Sequence, residues 1–568
     1  MRKGPAFFEK YSVNRTKESI FVPFLKTASR RLFFISFLFF TAYLIVVLRL
    51  FNVMVFSKEE KNPFQESKHA SAVRGNIYDR NHQLLATSLT TYSLYANPKQ
   101  ISDPEGAAKQ ITSFFKDLSY QDVLQKIKSP KSFVWIKRNL PPQEQQAVLE
   151  LGIPGVYFQK EAKRVYPQGS LTAHVVGLTD VDGHGVAGVE KSLSEILSVQ
   201  QKTVHLALDV RIQHIVMDEV SKSVQQFSAK GGGGVVMDIK TGELLALVSY
   251  PTFDPHQLST ATKEAMFNFM TSGVHEFGSV MKTATTVMAL EAQKANLYTL
   301  FDATQPIAVG RHKIKDFKPQ NRIMPLWEVF MYSSNIGFSK MVQMVGIEGQ
   351  KEFLKRLGFL NKPSLELIEI GRPIVPKVWR EVNGMTIGYG YGLAVSPVQV
   401  VRFVGSILNE GIMIEPTLLR RDIPLVESQK IKVMSDETAR LTRALMRLVV
   451  TNGTGRKASV PGYEVFGKTG TANHQINGRY HDNHVTTSFV GGFPFKNPRY
   501  LVLVMLNDPK TTPQTHGYTT AGWNSAPLAS SIISRMAPLL GVQPTYSNEA
   551  PEEYINLIQT KAILNETR

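Results

Sequence analysis

The stretch GGGGVVMDIKTGELLALVSYP, Gly231 to Pro251, reads as a β-hairpin: two apolar runs around a turn that contains Thr241-Gly242. Two further β-rich runs, VTTSFVGGFPF from Val485 and RYLVLVMLNDP from Arg499, come far later and are joined by FKNP. Between the two sets lie mainly helical stretches, among them SVMKTATTVMALEAQKA from Ser279 and MPLWEVFMYSSNIGFSKMVQMVG from Met324. Just upstream, HLALDVRIQHIVMDEVSKSVQQF from His205 reads as a strand entering a helix, with apolar residues at Ile212, Ile215, Val216 and Val220. Strands at both ends with helices between them predict an α+β domain, an antiparallel sheet assembled from distant segments and covered by helices.

The rest of the chain is organised around that domain. With 568 residues, 43 % hydrophobic and 20 % charged, it has a globular composition and is too long for a single core. The 65 basic and 47 acidic residues give a net charge of +18, which favours anionic partners. The cations are scattered, with no long Lys/Arg run and no nucleic-acid motif, so no nucleic-acid partner is expected. There is no cysteine, which excludes disulfides, thiol catalysis and cysteine-ligated zinc.

Leu32 to Leu48 is apolar apart from Ser36 and Thr41 and continues through Arg49 into LFNVMVF, enough to cross a bilayer as a single span. Eight basic residues (Arg2, Lys3, Lys10, Arg15, Lys17, Lys26, Arg30 and Arg31) and two acids, Glu9 and Glu18, precede it. The positive-inside rule therefore places a basic arm, 1–31, in the cytoplasm, an anchor over 32–56, and the remainder outside. The small-residue pattern Ala70-Ser71-Ala72 lies too far from the apolar stretch to be its cleavage site, so the anchor is read as uncleaved. Residues 57–202 alternate short β-like and helical pieces broken by polar turns, without a catalytic constellation, and read as a mixed α/β pedestal. The sheet domain spans 203–545, and a polar tail, 546–568, comes after it.

Three short motifs inside the sheet domain carry chemistry. In HEFGSVMKTATT, Ser279 follows Gly278 and opens a helix, while Lys282 lies one turn on, on the same face. A neutral amine there can take the serine proton if burial or a second cation lowers its pKa. Ser333-Ser334-Asn335 offers a hydroxyl to carry a proton and a carboxamide to grip a substrate amide. Lys468-Thr469-Gly470-Thr471 offers a cation, hydroxyls and a glycine that lets a substrate backbone approach a strand edge. Each pattern also occurs where it carries no chemistry: Ser113/Lys116 on a surface helix, Ser12/Asn14 before the anchor, and Lys240-Thr241-Gly242 in the hairpin turn. The ordered set within one domain is the specific signal.

That set, with Asn335 ending the middle motif, resembles penicillin-binding proteins and class A β-lactamases. RGNIYDRNHQLLA from Arg74, YPQGSLTAHVVG from Tyr166, GVAGVEKSL from Gly185, the Gly231 hairpin, GYGYGLAVSPVQV from Gly388 and LNDP from Leu506 are similar to class B penicillin-binding proteins of the septal, division-specific type. The resemblance runs from about Arg74 to Leu540 and implies a single-pass protein of the bacterial inner membrane with its catalytic domain in the periplasm. It implies a non-catalytic pedestal and a D,D-transpeptidase that cross-links peptidoglycan stem peptides and is acylated by β-lactam antibiotics. Ser279 would be the nucleophile, Lys282 its base, Ser333 a proton relay and Asn335 a clamp on the donor peptide. Lys468 would hold the substrate carboxylate and keep Lys282 neutral, Thr469 and Gly470 would line the substrate strand, and the backbone N–H groups of Ser279 and Thr471 would form the oxyanion hole. No cofactor or metal is implied. The implied partners are a membrane-embedded glycan-strand polymerase and other divisome proteins. This chain departs from the family in having Phe277 where proline usually precedes Gly-Ser, and in a short connection from Leu193 to Val204.

Other readings share the nucleophile. An elongation-type transpeptidase has the same chemistry and another pedestal partner. A β-lactamase would need to activate water for deacylation. A penicillin sensor or scaffold would be free to lose reactive residues, yet all three motifs are complete here.

Overall fold

The computed structural model describes residues 18–56, 73–310, 312–421 and 430–545. Most of the basic arm, the Ser12/Asn14 pair, the Ala70-Ser71-Ala72 site and the polar tail 546–568 lie outside them. Two compact units are present, Met1–Ala70 and Ser71–Arg568. The first is described by one helix, α1 (Glu18–Phe56), whose segment Arg31–Leu50 is long and apolar enough to cross a membrane. The apolar side chains of Arg31–Leu50 are exposed within this unit, as lipid-facing groups would be.

In the second unit, the pedestal residues build a sheet from β1 (Ile77–Tyr78), β2 (Leu84–Ala96), β3 (Val134–Leu140) and β4 (Val156–Val165). Helices α2 (Pro104–Phe114), α3 (Tyr120–Ile127) and α4 (Pro142–Glu150) pack on one side around Leu94, Ile111, Val123, Ile136 and Val148. Distant segments meet in its interior: Glu190 accepts from Arg74 Nε at 2.8 Å and from Arg164 Nε, at the end of β4, at 2.6 Å. All three side chains are buried, so one carboxylate and several backbone carbonyls, not solvent, satisfy the two guanidinium groups. Strand β5 (Val204–His205), at the start of the expected sheet domain, pairs in parallel with β1 and so also completes the pedestal sheet. Several hydrogen bonds tie the pedestal to the sheet domain. His174 Nε2 lies 2.8 Å from the Ala265 carbonyl, and Ser192 Oγ donates to the Glu366 carbonyl at 2.7 Å.

In the sheet domain, Asp209 caps α5 (Val210–Gln226), and the hairpin comes next as β6 (Gly231–Asp238) and β7 (Leu244–Tyr250). The later strands are β8 (Phe466–Ile476), β9 (Arg479–Phe493) and β10 (Tyr500–Asn507). The order is β8-β9-β10-β6-β7, antiparallel throughout, with Tyr500 opposite Asp238. The sheet expected from distant segments is therefore closed by the β10–β6 pairing. Both of its faces are dry. Val236, Val248 and Val504 pack with α5 and α12 (Ser525–Leu539); Val235, Met237 and Leu503 pack with the helices inserted between β7 and β8. Alternation along each strand sends neighbours to opposite cores, which is why these runs are apolar without a polar phase.

The inserted helices that matter for the site are α6 (Met281–Glu291), α7 (Leu326–Tyr332), α8 (Asn335–Val345), α9 (Glu381–Tyr389), α10 (Pro397–Leu408) and α11 (Asp436–Thr451). The sheet's edge strand β8 lies beside the turn that opens α6.

Candidate active site

Ser279 sits in a short 3-10 turn, Gly278–Val280, that leads directly into α6. The turn is fixed by backbone crowding. Gly278 has φ +50°, and a Cβ on it would lie 2.2 Å from the Thr471 carbonyl oxygen. Gly390, at φ +105°, comes equally close: a Cβ there would lie 1.9 Å from the Gly278 carbonyl oxygen. Only residues without a Cβ allow three backbones to meet here. Phe277, standing where proline is usual, has φ −97° and a buried ring that meets His275 edge-on. It anchors the turn by packing and leaves the reacting groups in place.

The middle motif is a corner between α7 and α8. Ser333 takes the left-handed conformation, φ 61°, which is costly for a residue other than glycine. Ser334 caps α8, its Oγ accepting from Gly337 N. Asp316, which sequence reasoning missed, secures the corner by accepting from Ser334 Oγ at 2.7 Å and Ile336 N at 3.0 Å. Next to it, the Lys315 carbonyl accepts from Asn335 Nδ2 at 2.8 Å. Nothing in KIKDFKP marks that aspartate in advance; only folding brings it to the corner.

All three motifs meet at one oxygen. Ser333 Oγ is 2.9 Å from Ser279 Oγ, 3.0 Å from Lys282 Nζ and 3.3 Å from Lys468 Nζ. Lys282 Nζ also donates to the Ser333 carbonyl at 2.6 Å and to Asn335 Oδ1 at 2.8 Å. Among the described residues its hydrogen bonds thus run to the Ser333–Asn335 corner, and it reaches Ser279 through Ser333. Lys468 donates to its neighbour's carbonyl, Thr469 O, at 3.2 Å, and Thr469 Oγ1 lies 2.6 Å from Thr454 Oγ1. Gly470 faces the Phe277 carbonyl, where a Cβ would come within 2.4 Å.

The electrostatics follow from burial. Lys282 and Lys468 are 1 % and 0 % exposed. Burial holds the Lys282 amine well below the usual lysine range, the Lys468 charge adds to this, and Asp316 opposes it. Burial brings Lys468 down to about 7. Beside the serine turn, Glu276 accepts from Gly392 N at 2.6 Å and from Tyr480 OH at 2.9 Å, and burial raises its pKa. Glu276 stands within HEFGSVMKTATT, but no spacing rule distinguishes it there.

The look-alike patterns fall apart in three dimensions. Ser113 Oγ donates to the Gln110 carbonyl on exposed α2, and Lys240 turns away to Asn409 Oδ1 at 3.0 Å. A separate cavity of about 620 Å³, lined by residues that include Leu171, His214 and Leu539, contains no residue of the three catalytic motifs.

A two-faced antiparallel sheet with a serine, two buried lysines and a Ser-x-Asn corner at its edge defines a serine acyltransferase of the penicillin-binding type. The chain belongs to that family: residues 232–534 match the penicillin-binding protein transpeptidase domain, and 69–200 the penicillin-binding protein dimerisation domain. The probable peptidoglycan D,D-transpeptidase FtsI of Caulobacter vibrioides is 32 % identical, over 83 % of this chain and 82 % of that protein. The peptidoglycan D,D-transpeptidase FtsI of Escherichia coli is 28 % identical, over 84 % and 85 %. Among solved structures, penicillin-binding protein 3 of Mycobacterium tuberculosis in complex with aztreonam superposes with a TM-score of 0.65 at 26 % identity, covering 84 % of this chain and 97 % of that one.

Proposed function

We propose that this protein is a peptidoglycan D,D-transpeptidase of septal cell-wall synthesis, and that Ser279 is its nucleophile. The observation that carries the reading is the convergence of Ser279, Lys282 and Lys468 on Ser333 Oγ. Neutral Lys282 accepts the Ser333 proton while Ser333 accepts that of Ser279, so one concerted relay frees the nucleophile. Ser279 Oγ then bonds to the carbonyl carbon of the penultimate D-alanine. The oxyanion is held by the N–H groups of Ser279 and Thr471, whose backbones the Gly278 contact keeps together. As the C–N bond breaks, the proton returns through Ser333 to the departing D-alanine. An amine of a neighbouring stem peptide then attacks the acyl-enzyme, and the peptide cross-link forms as Ser279 is released.

Asn335, held by Lys282 and Lys315, clamps the donor peptide, and protonated Lys468 with Thr469 receives its carboxylate. Gly470 acts on the nucleophile side: the lack of a Cβ lets β8 lie against the Phe277 carbonyl at the serine turn.

The charge asymmetry of residues 1–31 supports a cytoplasmic N-terminus and a periplasmic catalytic domain, anchored once in the inner membrane. A reporter that works only outside the cytoplasm, fused after residue 60, should be active. The pedestal is read as the docking module for a glycan-strand polymerase and other divisome proteins. Substitutions on its surface should impair septation and spare acylation.

Mass spectrometry of the full-length chain after benzylpenicillin treatment tests the chemistry. One penicilloyl adduct on the Ser279 peptide is expected, persisting long enough to isolate, and Ser279→Ala should carry none. Rapid loss of the adduct with turnover of the drug would instead identify a β-lactamase.

A further inference from the structure

The mouth of the site is bordered by rings and cations that belong to none of the three motifs. A short turn, Ala521–Trp523, packs on β8 through Ala521 N, which donates to Thr471 Oγ1 at 3.1 Å. Gly522 lies against the Thr454 carbonyl, where a Cβ would come within 2.7 Å, and Thr454 is itself bonded to Thr469. The neighbourhood of Trp523 and Lys457 is therefore tied to the Lys468–Thr471 strand. Tyr518 lies parallel to Trp523, 8° apart in plane with centroids at 5.9 Å, and Lys457 Nζ stands 3.8 Å over the Trp523 ring. Lys318 comes from the opposite wall, two residues beyond Asp316, and its Nζ stands 5.5 Å over the Tyr518 ring.

Among the described residues, neither ammonium group has a carboxylate partner, and both side chains are exposed. An ammonium over an aromatic face is held in place but keeps N–H donors for another acceptor. Two such groups, set on either side of a ring pair next to the substrate strand, make a cationic shelf. Lysines that merely cover apolar rings would show no preference for ligand charge.

We propose that Lys318, Lys457 and the Tyr518–Trp523 rings form a subsite for a second carboxylate of the acyl donor, carried on the stem peptide or on a β-lactam side chain. The subsite rests on the transpeptidase reading above. It is distinct from Lys468, which takes the carboxylate next to the reacting carbonyl.

The test uses full-length protein in detergent and two penicillins that differ by one side-chain carboxylate, benzylpenicillin and carbenicillin. The measured quantity is the ratio of their second-order acylation constants, carbenicillin over benzylpenicillin. In the double variant Lys318→Met/Lys457→Met the ratio should fall roughly threefold to tenfold, the range expected for two exposed charge contacts. Lys457→Glu should lower it further, and added salt should depress it in the wild type but not in the double variant. Lys126→Met, on exposed α3, should leave the ratio unchanged. An unchanged ratio in both the double variant and Lys457→Glu would overturn the subsite. Failure of wild type to be acylated by either penicillin would instead overturn the transpeptidase reading, and the subsite with it.

Discussion

Lys282 and Lys468 approach the same hydroxyl, that of Ser333, at 3.0 and 3.3 Å, with both side chains withdrawn from solvent. Two ammonium ions this close repel each other strongly in a dry site, so the arrangement favours one charge over two. Burial lowers both amines, and Lys282 also feels the Lys468 charge, so the geometry favours the charge on Lys468 and the neutral form on Lys282 beside Ser333.

Replacing Lys282 tests this division. Lys282→Arg keeps a cation that cannot deprotonate, and acylation should fall roughly 10²–10⁴-fold, the contribution typical of a positioned base. Circular dichroism and thermal unfolding check that the variant stays folded. Ser113→Ala and Lys116→Arg, in the look-alike pair, should leave acylation at the wild-type rate. A Lys282→Arg protein acylated as fast as wild type would reduce Lys282 to a structural cation.

The pH dependence has a definite sign. Lys282 acts when neutral, so acylation rises as pH climbs through its lowered pKa. Lys468 acts when protonated, so acylation falls as pH passes about 7 in the free enzyme. Second-order acylation constants should trace a bell. Lys468→Arg stays charged, so its residual activity should hold level to about pH 9. An alkaline limb that survives the arginine substitution belongs to another group.

Ser333 separates backbone strain from chemistry. Ser333→Ala and Ser333→Gly both remove the relay hydroxyl and should both lose acylation. At φ 61°, however, glycine relieves strain that alanine retains. Thermal or urea unfolding should find the glycine variant more stable than the alanine one by about 1 kcal/mol. Equal stabilities would argue against strain at the corner.

Gly390 makes a test outside the three motifs. A methyl group there would press on the Gly278 carbonyl and displace the serine turn from Thr471. Gly390→Ala should slow acylation at least about a hundredfold, as expected for a displacement near 1 Å at a reacting group. Wild-type acylation kinetics would show that the turn tolerates the shift.

The pedestal offers a stability test independent of catalysis. Glu190→Gln leaves Arg74 and Arg164 buried without a countercharge, and unfolding should become easier by about 3–5 kcal/mol. A loss below about 1 kcal/mol would mean that water reaches the two guanidinium groups.

Local patterns set much of this in advance. The turn at Thr241-Gly242, the apolar runs of Gly231 to Pro251 and the helix opened by Ser279 are dictated by neighbouring residues, so the hairpin, α6 and the α+β class were legible. So were Ser279, Lys282, Ser333, Asn335 and Lys468 as a candidate set, because their order and spacing are properties of the chain. Contacts between distant segments were not. That β10 pairs with β6, that β5 also serves the pedestal sheet, and that Asp316, Glu276 and Thr454 brace the site depend on where packing brings backbones together. The look-alike pairs show the same limit: Ser113 and Lys116 have the spacing of Ser279 and Lys282 but stay in water. Spacing names a lysine, whereas only burial beside a second cation lowers its proton affinity.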